Sequence, residues 1–311
     1  MTPEIFKTEI YHINGKGEEG GTVFSEMQGR EGNQEDVMAL AQQQALYQFK
    51  NAYRYETGGM LPHLRNLTLQ KSKLVDHCYP KALADLAWFA KSPVIDYHKT
   101  AYVPQNLTVV VLGGSLDPEK LLDTISQTTE RHLAAAGLDR GIHPKDWIRP
   151  FVESDSSFYD PIIEKDKTII VPYADTDTST GQIMINWVGP RAHDWLTTTA
   201  LGILGDYLTG SAHSILRRKF VEISEPACAG ISFDVTFRDP TIISLNFAAV
   251  QKGWLSTLAD DVRMVLKGLC RVPVDMKAMK LVLKNQLIAL EQTMESKPGV
   301  YIQAGVMQGE L

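Results

Sequence analysis

The side chains with the widest reach in chemistry are eight histidines: His12, His63, His77, His98, His132, His143, His193 and His213. Two imidazoles one helical turn apart, joined by a third ligand and a glutamate that polarises bound water, would make a hydrolytic zinc centre. No two of the eight stand four residues apart, so neither H-E-x-x-H nor its inversion H-x-x-E-H is present, and the chain cannot assemble that centre alone. His77 and Cys78 could act as soft metal ligands, but a lone adjacent pair is more often ordinary structure. His98 reads as a packed histidine at a helix end. The G-x-S-x-G turn of a serine hydrolase and the phosphate-binding P-loop are both missing.

Three acids near the start stand in unusual company. Glu26 lies in GGTVFSEMQGREGNQED, residues 20–36, beside Phe24 and Met27. Its plain reading is a surface carboxylate with apolar sequence neighbours. Glu9 sits in the apolar stretch TEIYHI, and Glu19 in the glycine-rich turn NGKGEEGG, where a solvated acid is the default. Trp187, Trp195 and Trp254 fall in regular strand and helix patterns that predict core packing, and Arg217, Arg218 and Lys219 predict a solvated helix end.

The elements that would carry these residues follow from periodicity and capping. Asn33, with Glu35 and Asp36 in the first turn and apolar residues at 37, 40 and 41, predicts a helix over 33–49. A second helix is predicted over 80–91, ended by Pro93. LTVVVLGG, residues 107–114, predicts a strand buried on both faces; Asp117 and Pro118 then start a helix over 118–136. Residues 137–166, broken by glycines and prolines, read as a linker. Beyond it come apolar runs at 168–174 and 182–189, a helix over 195–209, a hairpin of GISFDVTF and TIISLNFAAV, and helices over 253–269 and 275–295. The expected fold is α+β with two domains, 1–145 and 146–311, each a mostly antiparallel sheet with helices on one face.

Bulk properties set outer bounds. A length of 311 residues suffices for two cores, and 31 basic against 37 acidic residues give a net charge of -6 and no electrostatic reason to expect nucleic acid or an anionic membrane as partner. Three scattered cysteines fit a reducing compartment rather than a disulfide framework. No apolar run approaches the roughly 18 residues of a membrane span.

Several segments, in collinear order, resemble one family, the inverted-zinc-motif peptidases of the pitrilysin and insulin-degrading enzyme type, and within it the presequence protease branch. GGTVFSEMQGRE resembles the segment around the third zinc ligand, written G-V-V-[FY]-x-E-M. YRYETGGMLPHLRNLT and DYHKTAYVPQNLTVVVLGGSLDPEKLL resemble the segments that follow, and LGDYLTGSAHSILRRKFVEISEPACAGISF resembles part of the second, non-catalytic domain of the same half-enzyme. The resemblance implies pitrilysin-type domains, Glu26 as a ligand of Zn2+, and Glu9 as the upstream acid that supports the site. A cation would then compensate a carboxylate held among apolar side chains.

It also implies a partial chain. In relatives the H-x-x-E-H helix, with its general base, precedes the third ligand by several dozen residues, whereas only 25 precede Glu26 here, so the first domain is expected to be incomplete at its N-terminus and no catalytic residue is expected in this chain. The implied partners are unfolded peptide substrates, the missing N-terminal segment and a C-terminal half; neither nucleic acid nor membrane is expected. The expected location is cytoplasmic, with the mitochondrial matrix as alternative. Residues 69–95 exceed the short link of relatives and read as an insertion or a gene-model artefact. Two other functions stay open: a non-catalytic homologue acting as a scaffold, and a short protein that binds peptides without cutting them.

Overall fold

The computed structural model describes residues 3–49, 51–66, 93–111, 115, 117–135, 161 and 167–302. It is a mixed α+β structure with small antiparallel sheets and many helices. The described residues fall into two compact units. The first holds the elements up to Ala135 together with Thr168–Val171, and the second holds Pro161, Lys167 and the described residues from Pro172 onward.

In the first unit, α1 (Pro3–Glu9) leads into a small hairpin of β1 (His12–Ile13) and β2 (Glu19–Gly20), with His12 opposite Gly20 and Ile13 opposite Glu19. The Asn14 carboxamide closes the turn by accepting from the backbone N–H groups of Lys16 and Glu18 at 2.9 and 3.0 Å. Next come α2 (Thr22–Glu31) and α3 (Gln34–Leu46), the latter capped by Asn33, whose side chain accepts from the N–H groups of Glu35 and Asp36. A helical stretch at 61–66, α4 (Pro93–Ala101) and α5 (Pro118–Ala135) complete the unit. Its core is Phe6, Ile10, Tyr11, Phe24, Met27, Leu61, Leu64 and Ile95.

The glycine pair at 20 and 21 has a steric cause. Gly21 caps α2 at φ +130, and a Cβ there would stand 2.5 Å from the Ile10 carbonyl oxygen. Only glycine allows the start of α2 to approach the end of α1 this closely. Gly58 does the same on the other side, since a Cβ on it would meet the Met27 sulfur at 2.2 Å.

The second unit is built on a three-stranded antiparallel sheet in the order β3-β5-β4, from β3 (Thr180–Val188), β4 (Gly230–Thr236) and β5 (Ile242–Gln251). One face carries Ile185, Leu245, Phe247 and Ile231, which join Leu208, Leu216, Phe220, Leu258 and Val262 in one core. Those last residues come from α6 (Trp195–Thr209), α7 (Ile215–Phe220) and α8 (Leu258–Leu269), the helices that cover this face. The chain continues through α9 (Met276–Ser296) and α10 (Pro298–Tyr301). Asp275 caps α9 through the N–H groups of Lys277 and Ala278, and Gln286 ties it to Asp206 of α6 at 2.6 Å.

Among its described residues the strand predicted over 107–114 is not formed. Residues 107–111 pair with no strand, and Leu107, Val109, Val110 and Val111 are exposed. Residues 168–174 are likewise outside any sheet, with Ile170 90% exposed. β-Branched composition favours a pleated, half-buried surface, but a strand exists only where a neighbour completes its ladder, and among the described residues none lies alongside. Two tryptophans also depart from expectation. Trp254 packs against the core, whereas Trp187, near the end of an outer strand, and Trp195, in the first turn of α6, are exposed. The predicted helix over 80–91, the pair His77–Cys78 and most of the linker lie outside the described residues.

Gly21→Ala is expected to destabilise the protein by about 2–4 kcal/mol, from backbone strain and the clash with Ile10. Gly29→Ala, in an open position inside the same helix, is expected to stabilise it by up to about 1 kcal/mol. Denaturant titration of the two variants checks both signs.

Candidate functional site

Helix α2 presents Glu26. Phe24 and Met27, three residues apart and so on one helical face, are buried, while Ser25, Glu26 and Gln28 are exposed. Helical periodicity thus separates what sequence adjacency joins. The Glu26 carboxylate is not held among apolar side chains, and no desolvation cost calls for a compensating cation. This corrects the physical argument drawn from the sequence, while leaving Glu26 free in geometry to meet a partner.

The surroundings of Glu26 are firmly tied. Arg30, one turn further along α2, donates to Asp36 from Nη2 at 2.9 Å and to Glu56 from Nη1 at 2.8 Å. Its attraction to Glu26 is electrostatic and longer in range. Glu31 accepts from the backbone N–H of Leu61 at 2.9 Å, joining the end of α2 to the helical stretch at 61–66. Among the described residues Glu26 itself makes no hydrogen bond or ion pair. Glu9, the last residue of α1, is also exposed, and no short contact joins it to Glu26.

The acid with the richest contacts is Glu19, which the sequence suggested was merely solvated. Arg65 grips it with both ends of its guanidinium, Nε to Oε1 at 2.6 Å and Nη2 to Oε2 at 2.9 Å, and the Tyr11 hydroxyl donates to Oε1 at 2.7 Å. The Arg65 hydrogen bonds, followed by the one from Tyr11, pull the Glu19 carboxyl down to about 2. Burial and then the adjoining carboxylate push the Tyr11 phenol up. The Arg65 guanidinium also lies 5.3 Å from the centroid of Phe24, and Tyr11 packs tilted against the same ring at 4.9 Å. With Glu19 and Arg65 separated by 46 positions, no local pattern could have announced this cluster.

The letters G-x-G-x-x-G do occur, at Gly15, Gly17 and Gly20, but they occupy the turn and second strand of the β1–β2 hairpin. A dinucleotide site needs those glycines between a parallel strand and its helix, so the pattern has no such meaning here.

Zinc requires three protein ligands around a hydrolytic centre. Among the described residues no three His, Cys, Asp or Glu side chains come together to hold a metal ion. These residues therefore do not fit a zinc site by themselves; Glu26 offers one carboxylate at most. His98, half-buried in the last turn of α4, stacks on Tyr102 at 5.0 Å as a helix-end histidine would. Among the described residues no helix is long and apolar enough to cross a membrane.

Comparison with known proteins places these elements in a family. Residues 92–285, more than half of the chain, match the family described as the peptidase M16 inactive domain, and the chain belongs to the peptidase M16 family. This is the pitrilysin-like family, here without its catalytic motif. The chain is 32% identical over 288 residues to an uncharacterized protein of Schizosaccharomyces pombe, covering 92% of this chain and 24% of that one. It is 26% identical over 298 residues to an uncharacterized protein of Caenorhabditis elegans, covering 94% of this chain and 26% of that one. It thus spans about a quarter of the length of the curated relatives it matches. A crystal structure of a protease from Helicobacter pylori shares the fold with a TM-score of 0.63 at 13% identity, over 90% of this chain and 58% of that one.

The Glu19 cluster carries a pH signature. Because the folded carboxyl is held down at about 2, below the ordinary 4.5, its stabilisation is complete above 4.5 and is lost as pH falls through that window. The stability gap between wild type and Glu19→Gln is therefore expected to be largest at neutral pH and to close as the solution is acidified, as read by denaturant titrations across the acid range.

Proposed function

We propose that this chain is part of a zinc metalloendopeptidase of the M16 family that hydrolyses peptides, and that Glu26 is the carboxylate it contributes to the metal. The observation that carries this reading is the state of α2. Its inner face is locked by Phe24 and Met27, its Arg30 is engaged by Asp36 and Glu56, and its exposed Glu26 is held in place without a bonded partner among the described residues. A rigidly presented, uncommitted carboxylate suits a ligand that must complete a site begun elsewhere.

Zinc, when bound, would polarise a water and the scissile carbonyl. The chain's own residues would set where Glu26 stands, and Glu9 would support the site from the end of α1. Without H-x-x-E-H the 311 residues alone are expected to be inactive; the general base and two imidazoles would come from a preceding segment, and a C-terminal half would complete the enzyme. Peptides would bind by strand addition, a mode that reads backbone more than side chains. In this reading residues 1–145 and 146–311 belong to a catalytic-type and a non-catalytic pitrilysin-type domain, and the protein works in the cytoplasm, or alternatively in the mitochondrial matrix.

A second reading, a non-catalytic scaffold or peptide-binding subunit, is favoured by one finding: the matched family description is that of the inactive domain.

Metal analysis of the full-length protein separates the two. Glu26→Gln is expected to lower retained zinc about 10-fold or more at unchanged thermal stability of the apo protein. Equal zinc in wild type and variant defeats the role given to Glu26, and absence of zinc from the wild type supports the scaffold.

A further inference from the structure

The turn of the β1–β2 hairpin brings together a nucleophile, an electrophile and the donors that would polarise it. Asn14 is followed directly by Gly15, and all of Asn14–Glu18 is exposed. Its neighbours in the turn spend their backbone N–H groups: that of Asn14 donates to the Glu18 carbonyl at 2.9 Å, and that of Gly17 to the Asn14 carbonyl at 3.0 Å. The Gly15 N–H donates to no group among the described residues. The space around position 15 is open as well, since even a Cβ there would meet nothing within 4 Å. This uncommitted nitrogen lies one residue beyond the Asn14 side chain, so its attack on Cγ would close a succinimide ring.

The Asn14 carboxamide is engaged at both of its polar atoms. Oδ1 accepts from the Lys16 and Glu18 N–H groups at 2.9 and 3.0 Å, and Nδ2 donates to Glu18 Oε2 at 2.7 Å. Two main-chain donors on one carbonyl oxygen stabilise the negative charge that develops there when its carbon is attacked. A carboxylate hydrogen-bonded to the departing nitrogen is placed to carry a proton to it.

We propose that Asn14–Gly15 is a site of self-catalysed deamidation, with the Lys16 and Glu18 N–H groups as oxyanion donors and the Glu18 carboxylate as proton carrier. The Gly15 nitrogen bonds to Asn14 Cγ as its proton passes to Glu18, directly or through one water. Charge gathers on Oδ1, where the two N–H groups already point. Glu18 returns the proton to Nδ2, the Cγ–Nδ2 bond breaks and ammonia leaves. Water then opens the succinimide at either carbonyl, giving aspartate or isoaspartate at position 14. One amide and one water become one carboxyl and one ammonia, so the balance needs no reagent but solvent. The product alters the hairpin. A carboxylate at position 14 no longer donates to Glu18 and faces it as a like charge, and isoaspartate lengthens the main chain within the turn. Both changes loosen the strand that carries Glu19 to Tyr11 and Arg65.

Peptide mapping by mass spectrometry tests the site, with the intact protein incubated under native conditions at neutral pH beside a synthetic peptide of residues 8–20. A fold that merely restrains the Asn-Gly pair slows its deamidation relative to the flexible peptide, so the sign of the difference is decisive. The folded protein is expected to convert at least about 10-fold faster than the peptide. Glu18→Gln is expected to slow the folded protein at least about 10-fold and to leave the peptide rate unchanged. A folded rate equal to or below that of the peptide, or a Glu18→Gln protein that converts as fast as wild type, overturns the proposal. The comparison of wild-type protein with peptide needs no substitution, so it stands even where the variant fails to fold.

Discussion

Nothing projects from Gly21, and the arrangement around the candidate ligand depends on that empty space. The start of α2 lies directly against the Ile10 carbonyl, and the backbone N–H of Phe24 donates to that oxygen at 3.2 Å. This fixes where Phe24 enters the core. Its ring then receives Tyr11 on one contact and the Arg65 guanidinium on another, and both of those residues close on Glu19. The position of Glu26 is therefore decided by packing on the opposite side of its helix, by residues with no chemistry of their own. An exposed carboxylate is ordinarily mobile, but here the backbone beneath it is held at both ends, by Gly21 at the start and by the Arg30 and Glu31 contacts at the finish.

Local rules served well where structure is local. Asn33, Asp117 and Asp275 each cap the helix that follows, through side-chain oxygens accepting from the N–H groups of the first turn. Alternation in GISFDVTF and the following run fixed the β4–β5 hairpin, since a half-buried strand must obey period two. The helix read over 195–209 is the observed α6. What escaped was non-local. The apolar runs at 107–111 and 168–174 have the composition of strands, but a strand is a property of a pair. Glu19 looked solvated because its partner is 46 residues away. The plain reading of Glu26 as a surface carboxylate agrees with its exposure, whereas the apolar surroundings inferred from its linear neighbours do not, and the spacing of Phe24 and Met27 already separates the two.

The two units divide their chemistry differently. In the first, charge is concentrated in pairs that brace helices: Arg65 with Glu19, and Arg30 with Asp36 and Glu56. Such partly exposed pairs contribute modest energy each, and their geometry matters more than their strength. In the second, the strand period itself sorts the side chains, sending Ile185, Leu245 and Phe233 to the helices and Asn186, Ser244 and Asp234 to the other surface. A three-stranded sheet thereby carries a hydrogen-bonded polar row on the side away from its core helices, with Ser244 itself buried.

The close seat of Met27 over Gly58 has a further meaning for redox chemistry. The thioether is 2% exposed and its sulfur lies against a position where even one added carbon would collide. An oxygen atom added to that sulfur would find no room and would place a polar group in an apolar core. Sulfoxide at Met27 can form only when the first unit opens, so its rate of appearance under peroxide is an internal clock for that opening, distinct from the surface reactivity of Met276 or Met294.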